Sequence, residues 1–504
     1  IGLTPNRADG MSHIGVARDL LCAMKHLGHS DNKAELNWPS VDGFSPSGEC
    51  EVTINVEDAE LCPRYAGLTI QGVKVEASPD WLQNKLRSIG LAPINNVVDI
   101  TNYVLHEIGQ PLHAFDLAKV GKEVNVKTLP SGTKFKTLDE AERELNDNDL
   151  MICNASEGMC IAGVFGGIDS GVSDSTTSIF LESAYFNPVS VRKTAKRHGL
   201  NTDASFRFER GIDPNITAYA LKRAALLITE IAGGECSNLI DIYPKPLEDF
   251  NVEFRPSYLN TIAGVTIQES VVENILSWLD IKVDSKGDSW KLTVPAYRVD
   301  VQREIDVVEE VMRIYGFNNI PIPEKINASL SYMVGPDKEK LQNMVSDLLT
   351  SNGYAEAMSN SLTKESYAEL ANAKHIQSEW NVKMLNPLSS DLGVLRQTLL
   401  FSGLEALGYN LNRQEPNLKL YEFGKCYVKR DAGYEETAYL SLFGTGLNRN
   451  ERWNTPTGDM NYYSLKGSVE AILKRLGIYK NLQSKATSNE VMEDGIQWSI
   501  AKKK

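Results

Sequence analysis

The stretch YAGLTIQGVKVEASPDWLQNKLRSIG, Tyr65–Gly90, hands a strand-like run directly to a helix, and that alternation decides the fold class. It continues from about residue 50 to about 245. Short strand-like runs (EVTINV, NVKTL, DLMICN, GMCIAGVFGG) are interleaved with helices, as in a mixed α+β domain. Working outward, TPNRADG near the start is turn-rich and contains Arg7 and Asp9. The following MSHIGVARDLLCAMKHL repeats its apolar residues at helical spacing. A loop therefore feeds one helix, and Asn37 to Gly48, rich in Pro, Ser and Gly, reads as a linker. Toward the C-terminus a small second unit begins near Arg255. VTIQESVVENILSWLDI is an amphipathic helix, IKVDSKGDSWKLTVP a hairpin around Lys286-Gly287-Asp288, and EIDVVEEVMRIYGF another helix. Past the proline-bearing NNIPIPEK, a third unit is expected from about residue 330, helices first and then antiparallel strands such as KLYEFGKCYVKR and TAYLSLFGTG.

The chain has 504 residues, more than one hydrophobic core usually organises, so several domains are expected. Hydrophobic residues make up 42% and charged residues 23%, and no apolar run approaches the roughly 18 residues of a membrane span, which excludes disorder and membrane integration. Seven scattered cysteines without paired CxxC spacing argue against a disulfide framework and a structural zinc site, and no signal peptide is recognised. A reducing cytoplasm is the expected compartment. Asn-X-Ser/Thr triplets at Asn154, Asn215 and Asn327 carry little meaning without secretion. The net charge of -14 excludes a surface that grips nucleic acid everywhere, so any RNA contact must be local.

Five stretches can carry chemistry. GQPLHAFD (109–116) sets His113, one of only seven histidines, between apolar neighbours after a turn signal; it is a packed core residue, a metal ligand or part of a site. YRVDVQREIDVVEEVMRIYG places Asp306, Glu309 and Glu310 at i, i+3 and i+4 with Asp300 just before the helix, where four carboxylates can converge on a hard cation such as Mg²⁺. The same acids also suit a helix N-terminus, and Glu309 can pair with Arg313. IAGVFGGIDSGVSDS matches no phosphate-binding fingerprint; Gly163, Gly166 and Gly167 make tight turns or open space beside a pocket. VRKTAKRHGLNTDASFRFERGIDP gathers Arg192, Lys193, Lys196, Arg197, Arg207 and Arg210 into a basic island, either a phosphate contact or a solvated helix face. In IFLESAYFNP, Glu182 lies between an apolar strand and aromatics, so it either pairs with an arginine or serves a ligand.

Together these stretches resemble the β-subunit family of bacterial phenylalanyl-tRNA synthetases, through nearly the whole chain. The resemblance is carried by PINNVVDITNYVLHEIGQPLHAFD, GVFGGIDSGVSD, LESAYFNPVSVRKTAKRHGLNTDASFRFERGIDP and YRVDVQREIDVVEEVMRIYGFNNIP, in the family's order and separations. It implies a remnant of an N-terminal domain over 1–45, a mixed α+β editing domain (B3/B4-like) over 50–248, and a small winged-helix-like B5 domain over 250–322. A class II synthetase-like, antiparallel, non-catalytic domain is implied over 330–504. In the family a tRNA-binding OB-fold precedes the TPNRxD segment and an anticodon-binding domain follows, so the sequence reads as a central fragment.

The resemblance also implies an activity. The family's middle domain hydrolyses tyrosine wrongly attached to tRNA(Phe), while a partner α subunit, in an α2β2 heterotetramer, uses ATP to charge that tRNA in the cytoplasm. Carried over motif by motif, His113 and Glu182 fall on catalytic editing positions, Gly166, Thr202 and Ala204 on substrate-binding positions, and Asp300, Asp306, Glu309 and Glu310 on Mg²⁺ positions. The family's usual arginine before PIN is Ala92 here. A second sieve has a physical reason: a hydrophobic pocket built for phenylalanine cannot strongly reject an isostere that only adds a hydroxyl. The sieve must read that hydroxyl, and Glu182 as a carboxylate would accept it. Two alternatives stay open: a structural subunit with an inactive pocket, and a metal-dependent hydrolase acting through the four acids.

Overall fold

The computed structural model describes residues 2–285, 287–322, 324–325, 328–329, 335–371, 375–449, 452–489 and 492–500. The chain forms α1 (His13–His26), whose cap Ser12 accepts a hydrogen bond from the Gly15 N–H, then β1 (Thr53–Val56), β2 (Arg64–Gln71) and α2 (Asp80–Ser88). Asn95 caps α3 (Asn96–Ile108) by accepting from the Val98 N–H, and buried Val97, Ile100, Val104 and Ile108 recur every three or four residues to give one apolar face. After Gly109 the chain enters β3 (Leu112–Asp116), which carries His113, then the short α4 (Leu117–Val120) and β4 (Glu123–Thr128). The hairpin β5 (Lys134–Lys136) and β6 (Glu142–Glu144) leads to β7 (Leu150–Cys153), β8 (Gly158–Ile161) and β9 (Phe165–Gly166). The GMCIAGVFGG run, read as one strand, is in fact two. Gly163 turns at φ 68°, a left-handed conformation that favours glycine, and β9 folds back to pair with β8. β10 (Ser178–Tyr185), α5 (Pro188–His198), α6 (Asp203–Phe208), α7 (Thr217–Ala232), β11 (Glu235–Cys236) and β12 (Ile240–Ile242) complete the region.

Two sheets organise it. The first runs β1-β4-β7-β8-β9; the second runs β11-β2-β10-β3, with β12 also on β2. β10 lies antiparallel between β2 and β3, so Glu182 stands opposite both Gly67 and His113, and Leu181 opposite Leu68 and Ala114. Successive strand residues point to opposite faces. Phe180 and Ala184, with Tyr65 and Phe115, pack in one core with Val126, Ile152 and Cys160 of the first sheet. Leu68, Ile70, Ile179 and Leu181 pack instead with Val97 and Ile100 of α3 and Ala224 and Ile228 of α7. This two-sided packing fixes the register. Burying a Leu or Ile contributes about 1.5–3 kcal/mol, and a one-residue slip would move Ile179 and Leu181 to the wrong face. That outweighs the roughly 1–3 kcal/mol cost of one unpaired polar side chain, so Glu182 is held in the interior.

The same compact unit, which extends to residue 326, continues with β13 (Phe250–Phe254), α8 (Pro256–Ala263), α9 (Glu269–Trp278), β14 (Lys282–Asp284), β15 (Trp290–Val294) and α10 (Glu304–Tyr315). β13 and β14 flank β15 in an antiparallel sheet, and Val272, Ile275, Val307 and Val311 form its core with Cys22 of α1. The hairpin read around Lys286 joins β14 to β15, with Lys286 outside the described residues. A second unit begins at residue 327. Its long antiparallel pair Leu418–Arg430 and Gly433–Thr445 and the helices Lys338–Ser351 and Tyr462–Arg475 share a core of Val345, Leu349, Tyr421 and Ile472. Asn327, Leu330 and the AKKK end lie outside the described residues. No described helix is long and apolar enough to cross a membrane, and all seven cysteines are free thiols.

Candidate functional site

Between the two sheets lies a cavity of about 490 Å³ that His113, Gly166, Glu182, Thr202 and Ala204 all line. Residues far apart in sequence meet there for separable reasons. The β3–β10 register puts His113 beside Glu182. The β8–β9 reversal brings in Gly166, where an added Cβ would sit 3.1 Å from His113 Cε1 and 3.0 Å from a Leu138 methyl. Thr202 accepts from the Ser205 N–H as cap of α6 and donates to the Val164 carbonyl, tying Thr202–Ala204 to the glycine turn.

Glu182 is buried, His113 is half-buried with its Nε2 turned inward, and both are short of partners. His113 Nε2 and Glu182 Oε2 have no hydrogen bond among the described residues. Burial pushes the Glu182 carboxyl up to about 8 and the His113 imidazolium down to about 4. Near neutral pH the cavity therefore presents a carboxylic acid and a neutral imidazole. This corrects the expectation of a carboxylate: Glu182 finds no arginine, and desolvation disfavours its charge. The Tyr65 hydroxyl, also buried and unpaired, is raised well above its ordinary value by burial and then by Glu182. No lysine or arginine lines the cavity among the described residues. Ala92 is exposed and is not a wall residue, whereas its neighbour Ile94 is.

Three family models match in series along the chain: the B3/4 domain at residues 61–233, the tRNA synthetase B5 domain at 252–317, and the phenylalanyl tRNA synthetase beta chain CLM domain at 322–504. The phenylalanine–tRNA ligase beta subunit of Bacteroides thetaiotaomicron is 50% identical over 492 residues, which are 95% of this chain and 59% of the relative. This chain belongs to the phenylalanyl-tRNA synthetase β-subunit family. The corresponding subunit of Salinibacter ruber is 38% identical over 491 residues, 95% of this chain and 58% of that one. The chain thus spans about 59% of the length of the curated relatives it matches. Among solved structures, an N-terminal fragment of the phenylalanyl-tRNA synthetase β subunit from Pyrococcus horikoshii aligns with a TM-score of 0.31 and 16% identity, over 62% of this chain and 84% of that one. So low a score carries no argument.

The acids at the family's Mg²⁺ positions do not converge. Asp306 turns back on its own helix start, accepting from the Gln302 and Arg303 N–H groups and from the Arg303 guanidinium at 2.7 Å. Burial opposes its ionisation, but Arg303 and those N–H groups hold its carboxyl below the usual range. Asp300 accepts from Asn6 at 3.0 Å and is raised by burial and by Asp9. Glu309 is exposed. Glu310 is buried and taken by Arg7 at 3.3 Å, Arg298 at 3.1 Å and Arg313 at 2.7 Å, so Arg313 pairs with Glu310 rather than with Glu309. Among the described residues no three His, Cys, Asp or Glu side chains are placed to hold a metal ion. The four-carboxylate cation site is therefore not supported by this geometry, because arginines from distant segments occupy the acid that faces inward.

The basic island also divides. Arg192, Lys193, Lys196 and Arg197 are exposed on α5, where Arg197 pairs with buried Asp149. Arg207 is buried and donates to the Met11 carbonyl, to Asp203 and to His106, while Arg210 pairs with Glu209 and lies over the Phe206 ring. Sequence reasoning missed Cys160, Leu138 and Phe186 as wall residues. Cys160 was legible in principle, since it is the alternate position of an apolar strand; Leu138 was not, because it reaches the cavity only through the β5–β6 turn.

Proposed function

We propose that this chain is the editing portion of a phenylalanine–tRNA ligase β subunit and hydrolyses Tyr-tRNA(Phe) in the His113–Glu182 cavity, alongside ATP-dependent charging by an α subunit in an α2β2 assembly. The observation that carries the reading is a buried carboxyl whose Oε2 has no hydrogen-bond partner among the described residues, in a cavity of ligand size. A tyrosine hydroxyl entering the cavity satisfies Glu182; phenylalanine leaves it unpaired. The difference is about 1–3 kcal/mol, or roughly 5- to 150-fold in selectivity.

The remaining steps follow from the same groups. Water attacks the ester carbon, the bond to the ribose oxygen breaks, and the proton from water ends on the released ribose hydroxyl, with that sugar's free neighbouring hydroxyl assisting. His113, neutral across the physiological range, orients the water or the ester through its free Nε2 and is too weak a base to act as a standing cation. Gly166 leaves the room in front of that nitrogen. Magnesium, which accompanies ATP in aminoacylation, is assigned to the α subunit's chemistry, and no step here runs through Asp300, Asp306, Glu309 or Glu310. tRNA(Phe) and the α subunit are the proposed partners and the cytoplasm the proposed compartment; apolar side chains such as Leu385, Leu388 and Trp453, almost fully exposed on the second unit, suit subunit contact.

The test is to give the chain Tyr-tRNA(Phe) and follow deacylation with and without chelator. Chelator-insensitive hydrolysis, lost with His113→Ala or Glu182→Ala, is expected. No hydrolysis would leave a structural subunit, and strict metal dependence would favour a metal hydrolase.

A further inference from the structure

Behind this pocket, on the other face of the same sheet, lies a second cavity of about 480 Å³. Adjacent residues of β7, of β8 and at the end of β9 divide between the two: Ile152, Cys160 and Gly166 line the first, Cys153, Met159 and Gly167, just past β9, the second. Gly166 and Gly167 face opposite ways, since a Cβ on Gly166 would meet His113 and one on Gly167 would meet Phe135.

The second cavity has a different chemistry. Lys119 of α4, Lys127 of β4 and Lys134 and Lys136 of β5 line it, against two acids, Glu157 and Asp169. That is a local cationic excess on a chain of net charge -14. Glu142 holds Lys134 at 2.7 Å and Glu57 lies 4.0 Å from Lys127, but no ion pair takes Lys119 or Lys136 among the described residues. Part of the remaining wall is apolar, with Leu129, Pro130, Phe135 and Leu145, and Thr133, Asn154, Ser156 and Ser170 add neutral hydrogen-bonding groups of the kind a ribose and a base engage. A bare inorganic anion would use the lysines and leave that wall wet; an apolar ligand would leave the lysines without a counter-charge. A nucleoside phosphate uses both, and the cavity falls within the roughly 300–1,000 Å³ of small-molecule sites.

We propose that this lysine-lined cavity binds a nucleoside monophosphate group, its phosphate on Lys119 and Lys136 and its base against Leu129, Pro130 and Phe135. A free nucleotide and an exposed nucleotide of an RNA strand share that chemistry. The site stands whether or not the first pocket hydrolyses an ester. Because β8 and β9 are the common wall, a ligand here bears on the strands that carry Cys160 and Gly166.

The experiment titrates AMP, adenosine and inorganic phosphate into the chain by calorimetry. Saturable AMP binding is expected, with adenosine and phosphate each at least about 10-fold weaker, the equivalent of about 1.4 kcal/mol. The Lys119→Ala/Lys136→Ala double variant is expected to weaken AMP by a similar factor while unfolding at the same temperature and hydrolysing Tyr-tRNA at the same rate. Absence of saturable AMP binding, AMP affinity unchanged in the double variant, or adenosine binding as tightly as AMP, would overturn the proposal. A 5′-phosphorylated trinucleotide that displaces AMP supports it with RNA as the source; AMP that withstands the trinucleotide supports it with a free nucleotide as the source.

Discussion

Two regions of the first unit bury charge-bearing side chains and treat them in opposite ways. Where α1 and α10 meet the TPNRADG loop, Arg7, Arg298 and Arg313 interlock with Asp9, Asp19 and Glu310, and every acid touches at least two arginines. In the cavity between the sheets, no arginine lines the wall around Glu182 and His113 among the described residues. Burial leaves charge in place only where counter-charges and hydrogen bonds replace water; the interlocked lattice supplies both, and the cavity pair, which has neither, goes neutral. The paired acids are parts of the fold; the unpaired acid is available to a ligand.

The largest expected effect tests the lattice. Arg298 is almost fully buried, so Arg298→Ala leaves Asp9 and Glu310 under-compensated and costs about 3–5 kcal/mol in denaturant unfolding. A loss near zero would place the lattice among decorative surface pairs. In the cavity, Glu182→Gln removes no ion pair and is expected to leave stability at neutral pH intact or improved while reducing selectivity for Tyr-tRNA over Phe-tRNA. The same variant checks the protonation state. With its folded pKa at about 8, above the ordinary 4.5, Glu182 holds its proton in the folded state where the unfolded chain has released it. Its contribution to stability is fully present below about pH 4.5, declines as pH rises through that window and is lost above about 8. Glu182→Gln flattens that slope. His113, lowered to about 4 from 6.5, works the other way, with stability rising between about pH 4 and 6.5. Gly166→Ala is smaller: the Leu138 side chain is half-exposed and can yield, so KM for Tyr-tRNA rises by less than about 10-fold, or 1.4 kcal/mol. Arg303→Ala is smallest, a shift in the denaturant midpoint close to the scatter of the measurement, because that guanidinium is 76% exposed and screened by water.

What could be read from the sequence was local. The helices around Asp80–Ser88, Glu269–Trp278 and Glu304–Tyr315 follow from apolar spacing, and the strand pair at 418–445 from its alternating residues. The neighbourhood of each side chain was not legible. Asp306, Glu309 and Glu310 share a helix, but which charges meet them depends on Arg7 and Arg298, which fold in from other segments. His113 and Glu182 are neighbours only through the β3–β10 register, which packing on both faces of β10 enforces. The resemblance nominated the pocket residues; the lattice that occupies Glu310 and the neutral state of Glu182 are properties of the folded chain.

The central claim is that an unpaired, neutral Glu182 reads a hydroxyl. The most direct test is the ratio of Tyr-tRNA(Phe) to Phe-tRNA(Phe) hydrolysis measured from pH 6 to 9, for the chain with Glu182 and for Glu182→Gln. The account predicts a preference for the tyrosyl ester that strengthens as Glu182 ionises near pH 8, and a Gln variant whose preference is flat with pH and falls below that of Glu182 as pH rises through 8. A preference that is identical in the two proteins, or that ignores pH with Glu182 in place, would contradict it.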